Sequence, residues 1–482
     1  GQIHTGNALR LEWLKVCPPA VKMEHHPTDL FDTEPEQPEI DFEAQAAETY
    51  ICGNPPYKGS QDQTDSQKED LELAFESRLR SIRSSDYVAG WFVKAREWIR
   101  NSNARFAFVT TNSINQGRQV SLLWPLLLGE ELEIFFAVPS FPWQNLASRK
   151  AVVTVSVVGM QKKSSKKKKI YTNEQFQLVD YIGAYLVPNH DTIVQPSRAP
   201  LFVERPMMTG SMANDNGGLL LDFEQRAQEI LKEPAVDRYL KKFIGSDDAI
   251  YGEFRYCLWI NDQEAATAQR FEFIHDRLKV VQKHRAESDR ETTKNLAKSP
   301  HAFGEVRHQD TSSLLIPRHS SEDRPYLPCL MVGRNVVVAD SAIFLPNFEL
   351  SDLALYSSKL HWVWIATVCG KLKTDFRYSN TLGWNTFPVP PLTEKNKADL
   401  NACAEDILLA REEHFPATIA DLYDPDNMPE NLRRAHDRND ETLERIYIGR
   451  RFKNDTERLE KLFDLYTKMT AEKGAGKVKK AS

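Results

Sequence analysis

The sequence predicts an α/β protein: a mostly parallel, Rossmann-like sheet in its amino-terminal third, an α+β region in the middle and helices at the end. Three observations carry this expectation. Strand-type and helix-type stretches alternate between residues 105 and 159. From about Val187 that alternation gives way to short strands and loops rich in basic and aromatic residues. Residues 394–470 then keep to helical periodicity, with Leu459, Leu462, Phe463 and Tyr466 as one apolar stripe.

At 482 residues the chain exceeds the usual single-domain range, so two or three domains are expected. The pattern changes divide it into residues 1–186, 187–392 and 393–470, followed by a disordered tail at 471–482. Hydrophobic content of 41% and charged content of 27% are those of an ordinary globular protein. No apolar run approaches the roughly 20 residues that cross a bilayer, and the amino-terminus lacks a signal-peptide pattern. The 6 cysteines are scattered without a Cys-x-x-Cys pair, which argues against a zinc knuckle or a disulfide framework and for a reducing, cytoplasmic setting. The net charge of −6 neither advertises nor excludes a nucleic-acid partner, since local charge makes that footprint. The chain opens at Gly1, at what looks like the end of a strand (Gln2-Ile3-His4), and is read as a piece of a longer protein.

Taken in order, Asn7 follows that opening strand. It is either a helix N-cap or a polar residue at a strand's carboxyl end, where doubly wound sheets meet ligands. Residues 17–47, rich in Pro, Glu and Asp, are expected to form a surface loop. Tyr50–Gly53 is a strand, and two helices follow the polar stretch 61–68. In the second helix Val88, Trp91, Phe92, Ala95, Trp98 and Ile99 recur at three- and four-residue spacing, the stripe of a helix lying on a sheet. Arg105–Thr111 is a strand, a helix runs from about Gln116 to Leu128, and Glu131–Val138 and Ala151–Gly159 are further strands. The short loop Pro139–Lys150 between the last two holds no crossover helix, so they should pair antiparallel as a reversed edge hairpin. The lysine-rich block 162–169 is expected to be a solvated turn.

The chemistry-bearing stretch is Asn54-Pro55-Pro56-Tyr57. Two prolines fix φ and remove two backbone donors, so carbonyls project from a stiff loop instead of pairing in a ladder. The Asn54 amide oxygen and the Pro55 carbonyl can accept the N–H groups of an exocyclic amine while the ring of Tyr57 stacks on its heterocycle. An ordinary proline turn after a strand is the alternative. Phe141 or Trp143, in the loop before Lys150, could form the opposite wall of such a pocket or simply plug the hairpin.

In the middle region Arg318, His319, Ser320, Glu322, Arg324 and Arg334 offer the groups that address base edges in a major groove. Lys371, Lys373 and Arg377, in what looks like a basic loop, suit phosphates. A surface ion-pair network is the competing reading. A long charged helix is expected near Arg270–Lys298 and an aromatic-rich one from Ser357.

The tetrapeptide resembles the catalytic motif of amino-methylating DNA methyltransferases. Gly53–Tyr57, Phe108–Ser113, Ser140-Phe141, Arg255–Trp259, Ile316–Glu322, Gly370–Lys373 and Asn385–Pro388 together resemble the single-chain type IIL (MmeI-like) restriction-modification proteins, over almost the whole chain. The resemblance implies a class I methyltransferase sheet, a target recognition domain and a helical end. It implies adenine-N6 methylation of double-stranded DNA with S-adenosylmethionine, the adenine flipped onto Tyr57 and sandwiched by Phe141 or Trp143, and Asn7 touching the cofactor's adenine. No glycine-rich loop for the cofactor's methionine end follows a strand of the first domain. The chain therefore resembles the carboxyl-terminal part of such a protein, without its first strands and nuclease portion. Two functions compete: a specificity fragment that binds DNA without transfer, and an amino-methyltransferase acting on protein, on RNA or on cytosine N4.

Overall fold

The structure is a computed structural model that describes residues 3–17, 49–76, 82–100, 102, 104–144, 152–172, 175–202, 205–372 and 374–481. The expected surface loop at 17–47 lies outside them apart from Cys17. Its contacts divide the chain into Gly1–Val194 and Gln195–Ser482.

The first unit is built on a six-stranded sheet: β1 (Tyr50–Gly53), β2 (Arg105–Thr111), β3 (Leu132–Gln144), β4 (Val152–Lys162), β5 (Lys168–Thr172) and β6 (Gln175–Val179). Their order is β1-β2-β4-β3-β5-β6. β1 runs parallel to β2 and β3 parallel to β5, while β4 is antiparallel to both of its neighbours. The β3–β4 hairpin was expected at an edge, but β4 fills the slot between β2 and β3. The helix Gly117–Leu128 carries the chain past that slot, and the short return places β4 back in it. Among the described residues no strand precedes β1, so Ile3 and His4 are not the strand end expected there.

The helix Ala89–Arg100 buries Ala89, Phe92, Val93, Ala95, Trp98 and Ile99. Phe92 meets Phe106 and Phe108 of β2 edge-on at 5.7 and 5.3 Å, the arrangement aromatic quadrupoles prefer. Gly159 of β4 lies under Phe136, where an added Cβ would come within 2.2 Å of the ring. The lysine block is not wholly solvated. Lys168 opens β5 and forms a buried ion pair with Glu133 at 2.9 Å, and Gln161 and Ser164 also donate to Glu133. A buried ammonium is tolerated here because its carboxylate partner is itself fully hydrogen-bonded.

The second unit holds β7 (Met208–Thr209), β8 (Leu220–Leu221), β9 (Leu240–Ile244), β10 (Arg255–Leu258), β11 (Ser313–Pro317), β12 (His319–Ser320), β13 (Leu330–Val332), β14 (Val336–Val338), β15 (Ala342–Pro346), β16 (Gly370–Leu372) and β17 (Asp375–Arg377). They form sheets ordered β14-β9-β10-β8, β13-β11-β15-β7 and β12-β17-β16. The long charged helix is two: Glu272–Ala286 and Glu291–Leu296, interrupted at Ser288-Asp289, whose short polar side chains favour turns. The expected basic loop is the β16–β17 hairpin. The aromatic helix is Lys359–Val368, capped by the Ser358 hydroxyl.

Helices Glu394–Glu412, Glu430–Ile448 and Asp455–Ala481 complete the unit. The last runs through the segment expected to be a disordered tail, whose Ala, Glu and Lys content favours helix despite Gly474 and Gly476. Leu462, Phe463 and Tyr466 of the predicted stripe are buried.

A polar chain crosses this unit's core. Arg411 Nε donates to the Tyr423 hydroxyl at 2.8 Å, Tyr423 meets His436 Nε2 at 2.8 Å, and His436 stacks on Tyr326 with centroids 4.0 Å apart. The Tyr326 hydroxyl and the Lys359 N–H then donate to Asp440, at 2.8 and 2.6 Å. Burial pushes the Asp440 carboxyl up to about 7 against these donors. The folded state therefore holds this proton more tightly than the unfolded chain does. Its contribution is full below the ordinary carboxylate range and is lost as pH rises to about 7. Asp440→Asn, which mimics the protonated carboxyl, is expected to be more stable than the native protein at pH 8 by up to roughly 4 kcal/mol. The difference should vanish near pH 4 in paired denaturant titrations, and a pH-independent difference would refute the assignment.

Candidate functional site

β1 ends at Gly53, level with Phe108 of β2, and the chain leaves the sheet through Asn54-Pro55-Pro56-Tyr57. Carboxyl ends of adjacent parallel strands are where open α/β sheets take ligands. Pro55 is buried and anchors the turn, Asn54 and Pro56 are exposed, and Tyr57 is half-buried. The Tyr57 hydroxyl donates to Asn54 Oδ1, so the two side chains are held toward each other. Burial, followed by the charge of Asp86, raises the phenol above its usual range and keeps it a neutral donor.

The turn is braced from behind by residues the sequence reading missed. Tyr87 N–H donates to the Lys58 carbonyl at 3.0 Å, and Gln63 Nε2 does the same at 2.9 Å. The Asp86 carboxylate, 5% exposed, accepts the Lys58 N–H and the hydroxyls of Thr111 and Ser113. Its sequence signal is a helix start: Asp86 also accepts the Val88 N–H at 3.2 Å, an Asx cap before the helix Ala89–Arg100.

Asn7 is exposed and fixed in a turn. Its Oδ1 accepts from Leu9 N–H at 3.0 Å and its Nδ2 donates to Asp70 at 2.7 Å. The local-cap reading thus describes its oxygen, while one amide hydrogen and one lone pair stay available. Asp70 also takes Arg10 Nε at 2.6 Å and the Tyr87 hydroxyl at 2.7 Å. Burial alone would raise Asp70, but hydrogen bonds from Tyr87, Arg10 and Asn7 outweigh it and hold the carboxyl below its ordinary range. Burial and Asp70 push the Tyr87 phenol up to about 12.

Phe141 and Trp143 lie on β3, not in a loop. They pair with Val155 and Val153, and their rings are 6.2 Å apart. A register shift between Val138 and Phe141 lets the strand continue past Pro139. Phe141 is half-buried and Trp143 is 43% exposed. β2 and β4 separate β3 from β1, about 14 Å at ordinary strand spacing. Among the described residues no ring contact joins Tyr57 to Phe141 or Trp143.

In the second unit the sheet β12-β17-β16 brings His319 level with Arg377 and Ser320 level with Phe376. Arg318, next to His319, donates its N–H to Ser246 Oγ and Nη1 to the Asp340 carbonyl. Burial, then the charges of Arg377 and Arg318, lowers His319 below the usual histidine range, with Asp247 and Asp375 opposing the shift. Arg377 and Arg334 are exposed, while Ser320 is buried and its hydroxyl has no hydrogen-bond partner among the described residues. Glu322 and Lys371 are paired at 2.6 Å, so that part of the cluster follows the ion-pair reading. Arg324 is half-buried, and Lys373 lies outside the described residues. Among the described residues no group of His, Cys, Asp and Glu could hold a metal, and no helix is long and apolar enough to cross a membrane.

Three family models match the chain in succession: the MmeI DNA-methyltransferase domain over residues 1–172, the MmeI target recognition domain over 188–391 and the MmeI C-terminal domain over 392–473. The chain is 35% identical over 472 residues to a Bacillus subtilis (strain 168) protein described as DNA methyltransferase A, a match covering 98% of this chain and 51% of that protein. It also matches a solved structure of the Type IIL restriction-modification enzyme MmeI in complex with DNA, with a TM-score of 0.85 and 34% identity over 97% of this chain and 60% of that one. The chain thus spans about half the length of the curated relative. The expected architecture is present: a Rossmann-like methyltransferase sheet, an α+β recognition region and a helical end.

Proposed function

The chain belongs to the MmeI family, carrying its DNA-methyltransferase, target recognition and C-terminal domains in that order, and from this we propose that it serves site-specific adenine-N6 methylation of double-stranded DNA. One observation carries the site assignment. Asn54 stands exposed at the carboxyl end of β1 with its amide oxygen held toward Tyr57, whereas an asparagine turned into the core would end the reading.

The target amine is hidden in the duplex, so the adenine must be extruded to reach the turn. Its amino nitrogen is a poor nucleophile because the lone pair is delocalised into the ring. Asn54 Oδ1 and the Pro55 carbonyl each accept one N–H and draw the nitrogen toward tetrahedral geometry, freeing the lone pair. Tyr57 stacks on the heterocycle, and Phe141 or Trp143 approaches from the far strand. S-adenosylmethionine, when bound, supplies the electrophilic methyl. Asn7 fits its adenine edge, with one amide donor and one lone pair left over after its contacts to Asp70 and Leu9. The methyl would pass to the nitrogen as its bond to the sulfonium breaks, leaving a neutral thioether, and the methylated nitrogen would release its surplus proton to water. No strong base is required, because positioning and fixed dipoles supply most of the rate.

Arg318, His319 and Arg377 line the edge that would meet DNA, with Ser320, Arg324 and Arg334 beside it, and Lys371 and Glu322 exchanging their mutual pair for DNA contacts. Lys373 belongs to the same proposal. Arg377→Ala is expected to weaken binding to all duplexes alike and to reduce the salt dependence of log K by about one unit. Unchanged salt dependence would exclude Arg377 as a phosphate contact. The reading as a whole is tested by measuring DNA binding and labelled methyl transfer side by side on the natural protein. Binding with transfer supports methylation, and binding without it supports a specificity protein.

A further inference from the structure

Asp86 joins two segments that the proposed chemistry needs in register. Its Oδ1 accepts the Lys58 N–H at 3.4 Å, one residue past Tyr57, and the Val88 N–H at 3.2 Å. Its Oδ2 accepts Thr111 Oγ1 at 3.2 Å and Ser113 Oγ at 2.9 Å, at the end of β2. The neighbouring Tyr87 N–H and the Gln63 amide donate to the Lys58 carbonyl, in the next peptide unit, and Gln63 is pinned in turn by the Ser85 carbonyl at 2.9 Å. Lys58, the residue leaving the turn, is therefore held at its N–H by Asp86 and at its C=O by Tyr87 and Gln63, so both peptide units flanking it are fixed.

Two further observations point the same way. Asn112, between the clamped Thr111 and Ser113, keeps both side-chain amide atoms buried with no hydrogen-bond partner among the described residues, a cost that a segment free to turn would relieve. On the opposite side, the Tyr87 hydroxyl holds Asp70, which holds Asn7. The base-side turn and the cofactor-side loop thus share one anchor in two adjacent residues.

We infer that Asp86 is a positioning residue for methyl transfer: through hydrogen bonds, not through its charge, it fixes the Asn54–Tyr57 turn against the end of β2. This inference rests on the function proposed above. The natural protein is made with Asp86→Ala, Asp86→Asn or Gln63→Met, and single-turnover methyl transfer, duplex affinity and the fluorescence of 2-aminopurine at the target position are measured. Asp86→Ala is expected to slow transfer about 10- to 100-fold, the scale of a misplaced reacting group, with unchanged duplex affinity and brighter, more mobile 2-aminopurine. Asp86→Asn, which still accepts from Lys58 and Val88 and can donate to the two hydroxyls, is expected to stay within about threefold of the native rate. Gln63→Met, which loosens the same residue, Lys58, at its carbonyl, is expected to slow transfer several-fold at an unchanged melting temperature. It decides the matter if Asp86→Ala does not fold. Native rates in both Asp86→Ala and Gln63→Met, or an Asp86→Asn loss as deep as that of alanine, overturn the inference. Full transfer by Asn54→Ala would instead overturn the reading beneath it.

Discussion

Asn54→Ala is expected to slow methyl transfer at least about a hundredfold, the scale seen when one preorganised polar group is removed from a reacting centre. Cognate duplex should bind as before. The turn is exposed at Asn54, so the substitution removes little packing and is expected to leave stability within about 0.5 kcal/mol. What it removes is the acceptor that pulls on the exocyclic amine, together with the partner of the Tyr57 hydroxyl. Tyr57→Ala should also be severely impaired, because a stacked base is worth about 1–3 kcal/mol. Tyr57→Phe keeps the ring and should retain most of the rate. Normal transfer by Asn54→Ala in single-turnover assays would show that this turn is only a turn.

Arg285→Met is expected to destabilise the second unit by about 3–5 kcal/mol, since it leaves several buried carbonyls without donors at roughly 1–3 kcal/mol each, partly relieved by relaxation. Arg285 is 0% exposed and donates to five main-chain carbonyls: Asn214, Leu296, Ser299, Ala213 and Ala302, at 2.8 to 3.2 Å. Methionine fills the stem but leaves those oxygens without donors in a place water does not reach. Arg285→Lys should do little better, since one ammonium cannot span the fan that a planar guanidinium covers. Denaturant midpoints measure both. A change below about 1 kcal/mol in each would mean that the carbonyls find other partners.

The local grammar of this chain was legible where it rests on short-range chemistry. The two prolines announced the turn at Asn54, β2 alternates buried Phe106, Phe108 and Thr110 as a strand on a helix-covered sheet should, and Ser358 caps the helix it precedes. What the sequence concealed depends on partners far away along the chain. β4 inserts beside β2 because of a pairing some fifty residues distant. Asp86 was not singled out, because its bonds to Lys58 and Ser113 span 28 and 27 residues. Lys168 sits in a run of lysines and differs from them only because Glu133 waits inside the sheet. Lys371 and Glu322 each looked available to DNA, and the fold sets them against each other. The β16–β17 hairpin was masked by its polar composition, and the continuation of β3 past Val138 by two prolines that the bulge there accommodates.

The central claim is that the Asn54–Tyr57 turn presents acceptors to the exocyclic amine of a flipped adenine. Its most direct test is the identity of the modified nucleoside in duplex treated with the natural protein and S-adenosylmethionine, then digested and resolved by mass spectrometry. The account predicts N6-methyladenine, absent from the Asn54→Ala digest. N4-methylcytosine, or N6-methyladenine at undiminished yield from Asn54→Ala, would contradict it.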